Sequence, residues 1–395
     1  MSLRDCTHPL SRAGTRIAQV DVYDRVNDAE AAWRLLEAGG AIMTPYQRYE
    51  WTELWHRHVT SHQAIKPFII VARDETGAPM FLLPLATRRK RGLVIAGFFG
   101  GRHSNLNGGL WRRNIVHSIS VDELRNVLTE AAARHGVDLF KLVSQPIAMV
   151  GATNPMSLFP QRPTPDDIYV LTIEGGNGKE ALKATLKSSM IGRLRTKERK
   201  LAALPGYRYM RATTPAEVDR VLDAFFVQKM KHLAAQGICN VFEDDAVVTF
   251  LRSACHAGLE TGNPVIELFA LECDAEVLAV FGGVCNGRRL SCMFNSYTDD
   301  AENSRWSPGL VLLTHIVQHC GERQIAKFDL GAGHAFYKTL FCKETEGAFD
   351  TILGFTPPGR LAAYALTAAR ESKRRLKATP AVWETLKTVR RVIRG

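Results

Sequence analysis

No stretch of this 395-residue chain approaches the roughly 18–20 uninterrupted apolar residues that a membrane-spanning helix needs. Its start, Met1-Ser-Leu-Arg-Asp-Cys-Thr-His8, lacks the apolar core of a secretory signal. None of the eight cysteines (6, 239, 255, 273, 285, 292, 320 and 342) stands in a CxxC pair. Neither a zinc site nor a redox motif is therefore signalled, no metal is expected, and the cysteines read as reduced, mostly buried thiols of a cytosolic protein. G-x-S-x-G, H-E-x-x-H and Walker loops are all missing, which leaves out the serine-elbow hydrolases, zincins and P-loop enzymes. Basic residues exceed acidic ones by 11, but unevenly. Residues 360–395 contribute +8 and residues 183–200 contribute +6, leaving −3 for the rest. Such a chain is a near-neutral globule with two basic segments rather than a uniformly basic nucleic-acid binder.

What is present is ordinary globular composition, 46% hydrophobic and 23% charged, at a length that suggests two or three domains. Helical patterning starts at Asp28 and again near Pro45, where Tyr49, Trp51, Leu54 and Trp55 share an apolar side. Residues 68–73 and 79–87 are β-rich runs around Asp74-Glu-Thr-Gly77, a hairpin. A strand at 93–99, a turn cluster at 103–109, a helix at 121–135 and a buried strand at 138–144 follow. After a proline-rich loop the pattern restarts. A strand at 168–173 is followed by Gly175-Gly-Asn-Gly178 and a long basic helix to about residue 203, then a strand at 207–212. Thr214-Pro-Ala-Glu217 fits a capping box with proline at the first helical position. A second helix spans 244–261, and strands at 265–272, 277–284 and 289–297 precede a helix that opens at Ser307-Pro-Gly309. Short strands at 327–330 and 350–355 close the series. The two halves are similar, and the second is the more complete.

The turn Ser307-Pro-Gly309 invites two readings. It is an ordinary capped helix start, or it is a phosphate site in which backbone N–H groups and the positive end of the helix dipole face an anion. The order of elements favours the second: three consecutive antiparallel strands, this turn and helix, and then a short strand.

In that order, and in several motifs, the chain resembles the GNAT-like acyltransferases of the cellulose-biosynthesis CelD type, relatives of the FemAB peptidyltransferases. The resemblance rests on Ser307-Pro-Gly309, Phe328-Asp-Leu-Gly-Ala-Gly333 and Tyr337-Lys338 in the second half. In the first half it rests on Thr44-Pro-Tyr-Gln47, Glu50-Trp-Thr-Glu-Leu-Trp55, Leu83-Pro-Leu85 and Ser104-Asn-Leu-Asn-Gly-Gly109. It covers roughly residues 40–355. The usual phosphate signature R/Q-x-x-G-x-G/A is absent, and Arg305-Trp-Ser-Pro-Gly309 keeps one glycine. The implied fold is α+β: two tandem GNAT-like domains with mixed, mainly antiparallel sheets. The expected organisation is a degenerate N-terminal domain at 1–167, an acyltransferase domain at 168–356 and a basic helical tail at 357–395.

The resemblance implies transfer of an acyl group, acetyl by expectation, from acetyl-CoA or another acyl-CoA to an amine or hydroxyl of a sugar, lipid or exopolysaccharide precursor. Two alternatives stand beside it: a non-catalytic accessory protein of a polysaccharide synthase, and a tRNA-dependent peptidyltransferase, the one case in which nucleic acid is an expected partner. Acyl transfer needs an aligned acceptor, a base for its proton and donors for the oxyanion. The strand segment with Phe294 and Ser296, together with Ser307, Gly309 and Leu310, is the expected CoA contact. Tyr337 stands where an acid for the leaving thiolate belongs, and Lys338 would hold an oxyanion or an acidic acceptor. Asp329 would orient the acceptor, act as base or bond its own turn, and His315 is a second base candidate or a packed core histidine. Arg193 and Arg195 of the basic helix would bind an anion, arginine suiting bidentate phosphate contacts, or would simply be solvated. Asn105 is a candidate acceptor contact. Trp51 is either a saccharide platform or core. The tail, with an apolar stripe around Leu361 and Tyr364 that resumes at Trp383, suggests peripheral contact with an anionic membrane or docking on the protein itself.

Overall fold

The computed structural model describes residues 16–101 and 103–378. Along the first half run β1 (Gln19–Tyr23), α1 (Glu30–Ala38), α2 (Tyr49–Trp55), β2 (Ile65–Arg73), β3 (Pro79–Lys90), β4 (Leu93–Phe98), β5 (Leu110–Trp111), α3 (Val121–His135) and β6 (Leu139–Pro146). A small hairpin, β7 (Ala148–Met149) and β8 (Ala152–Thr153), and β9 (Arg162–Pro163) lead into the second half. There follow β10 (Ile168–Thr172), α4 (Gly178–Thr185), α5 (Ser188–Leu201), β11 (Arg208–Arg211), α6 (Pro215–Ala235), α7 (Asp245–His256), β12 (Glu267–Glu272), β13 (Val277–Cys285) and β14 (Arg289–Tyr297). The chain continues through α8 (Ala301–Ser304), α9 (Pro308–Glu322), β15 (Lys327–Ala332), α10 (Phe336–Phe341), β16 (Glu344–Glu346), β17 (Ala348–Gly354) and α11 (Pro357–Ala378).

Local chemistry accounts for many of these boundaries. Ser120 and Glu123 form a reciprocal capping box on α3, and Gly136, with φ 61°, closes that helix in the left-handed region. Thr214 and Glu217 do the same at the start of α6. Asp74 accepts the Thr76 and Ala78 N–H groups and so shapes the β2–β3 turn.

The expected single basic helix is two helices. Leu186 and Lys187 adopt extended backbone between α4 and α5. Because Leu186 is buried, the chain turns there to seat α4 against α9. The glycine run before α4 serves that crossing. A Cβ on Gly178 would lie 2.3 Å from the Val317 carbonyl, and one on Gly321 would lie 2.4 Å from the Gly178 nitrogen. Pro357-Pro-Gly359, expected to end the preceding strand without continuing a helix, instead opens α11. A proline in the first turn lacks only an N–H that would be orphaned, and the Thr356 hydroxyl accepts the Gly359 N–H. The continuation expected around Trp383 lies outside the described residues.

Two sheets result, with orders β1-β2-β3-β4-β6-β17-β9 and β11-β12-β13-β14-β15-β10-β16. They correspond strand for strand. In each, one central pair is parallel (β4 with β6, β14 with β15) and the pairs around it are antiparallel. In the first sheet one position is filled from the second half. β17, expected in the second half's fold, pairs with β6 of the first sheet, while β10 takes the matching place beside β15. The core lies in three layers. One packs α3 on the first sheet and another packs α4, α5 and α9 on the second. The middle layer is shared, joining Trp33, Trp51 and Trp55 to Phe225, Phe250 and Phe294.

Candidate active site

The parallel pair β14–β15 lasts for three residues, Arg289↔Lys327, Leu290↔Phe328 and Ser291↔Asp329, and then the strands diverge. Carbonyls past the opening accept bonds from side chains. The Cys292 carbonyl accepts from Asn105 Nδ2 (2.6 Å) and from the Tyr46 hydroxyl (3.3 Å), both from the first half. The Asn295 carbonyl accepts from Lys229 Nζ (3.1 Å), and the Ala332 carbonyl accepts from Lys338 Nζ (2.6 Å). Burial holds both lysines below the ordinary lysine range.

The first sheet has the same opening, but its own loop fills it. The Asn107 backbone N–H donates to the Ser144 carbonyl and its side chain to the Val143 carbonyl. Thus the stretch Ser104-Asn-Leu-Asn-Gly-Gly109 closes one opening with Asn107 and reaches the other with Asn105.

A cavity of about 340 Å³ lies on the α9 side of the second opening, walled by Asn295, Tyr297, Gly309, Leu310, Phe336 and Tyr337. Asn295 Nδ2 donates to the Tyr337 hydroxyl oxygen at 3.2 Å. Burial, followed by the Cys292 thiol, pushes the Tyr337 phenol up to about 12, more than the Asn295 bond pulls it down, so it keeps its proton at neutral pH. Ser307, at φ 52°, turns the chain into α9, and its hydroxyl accepts from Lys197 Nζ of α5 at 2.6 Å. Within this turn the Ser307 and Leu310 N–H groups bond to Ser304 and Ser307 carbonyls, and Pro308 has none. Gly309, at the cavity wall, has an N–H without a partner among the described residues. The turn at Ser307–Gly309 thus offers one backbone donor and a lysine, where a glycine-rich loop offers several backbone donors.

The other expected site residues fall into place differently. Asp329 is fully buried, accepting from Arg289 Nε (2.5 Å), the Ser291 hydroxyl and the Gly331 N–H (3.0 Å). With both oxygens engaged, it anchors β14 to β15 and is not free to act as a base. His315 sits on another face of α9, bonded to Glu198 (2.5 Å) and stacked on Tyr209, and it is not part of the cavity wall. Phe294 packs on Phe225 in the shared layer, away from the cavity, while Ser296 reaches the wall and donates to Gln228. Trp51 is fully buried between Trp55, Tyr46 and Phe250, so it is core and not a saccharide platform. Arg193 and Arg195 are exposed on α5, away from the cavity, and Lys197 is the residue by which that helix meets the site.

Sequence reasoning missed Lys229 and Asn295. A lysine one helical turn past buried Phe225 was the available signal for the first. The second lay inside the strand segment already singled out.

Comparison with known proteins bears on the fold. Residues 188–339 match the family described as Acetyltransferase (GNAT) domain. The fold is that of tandem GNAT domains. Among solved structures, FemX superposes with a TM-score of 0.59 at 10% identity, over 85% of this chain and 98% of FemX. A conserved protein of unknown function from Bacteroides thetaiotaomicron gives 0.54 at 8% identity, over 85% and 99% of the two chains. At such identities the likeness is one of fold. No curated protein sequence matches the chain. No metal-ligating cluster is found among the described residues, nor any helix long and apolar enough to cross a membrane.

Proposed function

We propose that the protein transfers an acyl group from a CoA thioester, held in the cavity between β14 and α9, to an amine or hydroxyl that approaches through the seam beside Asn105. The observation that carries this is the opening of β14 from β15 onto a cavity where a protonated, half-buried Tyr337 faces the N-terminus of α9. The pieces fit a CoA ester. The Gly309 N–H and Lys197 suit its diphosphate, and the walls formed by Tyr297, Leu310 and Phe336 suit its pantetheine arm.

In this reading Tyr337 gives its proton to the departing thiolate. Its oxygen already accepts from Asn295, so its O–H is the part left to donate. One of the two lysines at the opening, Lys229 or Lys338, whose burial favours the neutral amine, takes the acceptor's proton. The acceptor class is the sugar, lipid or polysaccharide precursor implied by the CelD-type resemblance. On α11, Leu361 and Tyr364 stay exposed beside Arg360. We extend the proposal to peripheral contact of this C-terminal helix with anionic membrane, read by cosedimentation with anionic vesicles.

The test is calorimetry with acetyl-CoA and longer acyl-CoAs, followed by thiol release against a panel of amino sugars and polyols. Saturable binding with acceptor-dependent thiol release is expected. A chain that binds no acyl-CoA overturns the reading.

A further inference from the structure

A second site lies at the other end of β14. Two cavities there, of about 430 and 440 Å³, share Met43, Val150, Asn286 and Arg288 in their walls and so form one trough along the seam between the two domains. Its cations are of two kinds. Arg34 and Arg48 are already engaged, Arg34 with Glu37 and Glu50 and Arg48 with the Pro264 and Cys285 carbonyls. Arg113 from the first domain and Arg288 from the second carry no side-chain hydrogen bond or ion pair among the described residues. Arg289 adds a third group. Its Nε meets Asp329 and its Nη1 meets Glu346, but its Nη2, buried in a side chain only 12% exposed, has no acceptor among the described residues. A buried guanidinium nitrogen without a partner costs stability, and it leaves positive charge behind the cavity wall. The acids in the wall, Glu37 and Glu50, are both bound to Arg34 and so leave the net field positive. Met43, Leu106, Pro146 and Met149 give the second cavity an apolar part of its wall.

We propose that this trough binds an organic diphosphate: the phosphates on Arg113 and Arg288, and the organic part, a nucleoside or an isoprenoid, against the methionine-lined wall. Guanidinium forks match phosphate oxygens in pairs, and ligands of mixed character seat in clefts that offer a few placed charges within apolar surface. The site lies six residues along β14 from Asn295, so its occupant is separate from the acyl donor. The proposal does not rest on the acyl-transfer reading.

The experiment is calorimetry on the full chain with uridine diphosphate, adenosine diphosphate, farnesyl diphosphate and inorganic pyrophosphate, with acetyl-CoA titrated alongside. At least one organic diphosphate should bind about tenfold or more tighter than pyrophosphate. A preference for a nucleoside diphosphate assigns the wall to a base, and a preference for farnesyl diphosphate assigns it to an isoprenoid. The double variant Arg113→Ser, Arg288→Ser should weaken that binding by about tenfold or more and leave acetyl-CoA affinity unchanged. Both side chains are exposed and make no bond among the described residues, so the variant should melt like the parent. The proposal is overturned if no probe binds, if pyrophosphate binds as well as the organic diphosphates, if the double variant binds unchanged, or if the probe competes with acetyl-CoA.

Discussion

Asn295 and Tyr337, 42 residues apart, meet at 3.2 Å where β14 leaves β15, and the amide donates to the phenol oxygen. The tyrosine is thereby held at the cavity wall with its own proton unspent. Tyr337→Phe keeps the ring and removes that proton. Thiol release should fall by about 10²–10⁴-fold, the range for a positioned acid, with little change in melting temperature. An undiminished kcat in this variant would remove Tyr337 from the chemistry.

Gly309 brings backbone to the cavity wall, and a Cβ there would stand 3.5 Å from the Tyr297 ring, an ordinary contact. Gly309→Val should therefore fold and lose acetyl-CoA affinity by filling the wall. Lys197→Met should also weaken acetyl-CoA, and the loss should shrink as salt is raised. Calorimetry at low and high ionic strength checks both, and unchanged affinity in both variants would place the diphosphate elsewhere.

Lys229 and Lys338 are lowered from the lysine range by burial, and each lysine's charge adds to the fields around the opening. A base acts in its deprotonated form. The transfer rate should accordingly climb with pH and level off below the value of about 10.4 expected for a free lysine. Lys229→Arg keeps the charge at all accessible pH values and should flatten that climb. A variant profile that overlays the parent's would show that Lys229 is no base.

Asp329 and Glu346 hold Arg289 from two sides. Removing one partner of such a buried pair leaves an uncompensated charge, so Asp329→Ala should cost about 3–5 kcal/mol in denaturant unfolding. Burial acts to raise the Glu346 carboxyl, but Arg289 and Lys327 outweigh it and the net shift is downward. A carboxyl lowered in the folded state binds fewer protons there than when unfolded. Its contribution is complete above the ordinary carboxylate value near ~4.3 and fades as pH falls through the lowered folded value. Glu346→Gln should thus lose stability at pH 7 and show a gentler acid slope than the parent.

Cys292 lies behind the opening, buried, its thiol pushed up to about 12 chiefly by burial. At pH 8 about one such thiol in ten thousand is ionised. Native-state labelling with a disulfide reagent should mark exposed Cys239 and spare Cys292, as peptide mapping would read. Fast labelling of Cys292 would show that the opening breathes.

Much of this was legible where the signal is local. The Thr214–Glu217 box, the Asp74–Gly77 hairpin and the helix at Pro308 are each written within a few residues. Tyr337 could be singled out because its place after a strand and two glycines is sequential. Lys229 could not, because its partner Asn295 is 66 residues away and a lysine in an apolar helix reads as a snorkelling surface group. The Asp329–Gly331 turn bond was within reach, but the bonds from Arg289 and Ser291 that occupy the carboxylate were not. The place of β17 was hidden for a similar reason. Ala348–Gly354 is a good strand in any sheet, and nothing within it names β6 as its neighbour.

That pairing has a consequence for synthesis on the ribosome. β6 ends at Pro146 and β17 begins at Ala348, so the first sheet waits for about two hundred further residues before its β6 edge is closed. At 5–20 residues per second this is roughly 10–40 s in which the nascent chain presents an open, largely apolar strand edge. The N-terminal domain is first to be made yet among the last to be finished, and its vulnerability to aggregation is set by the speed of translation through the other domain.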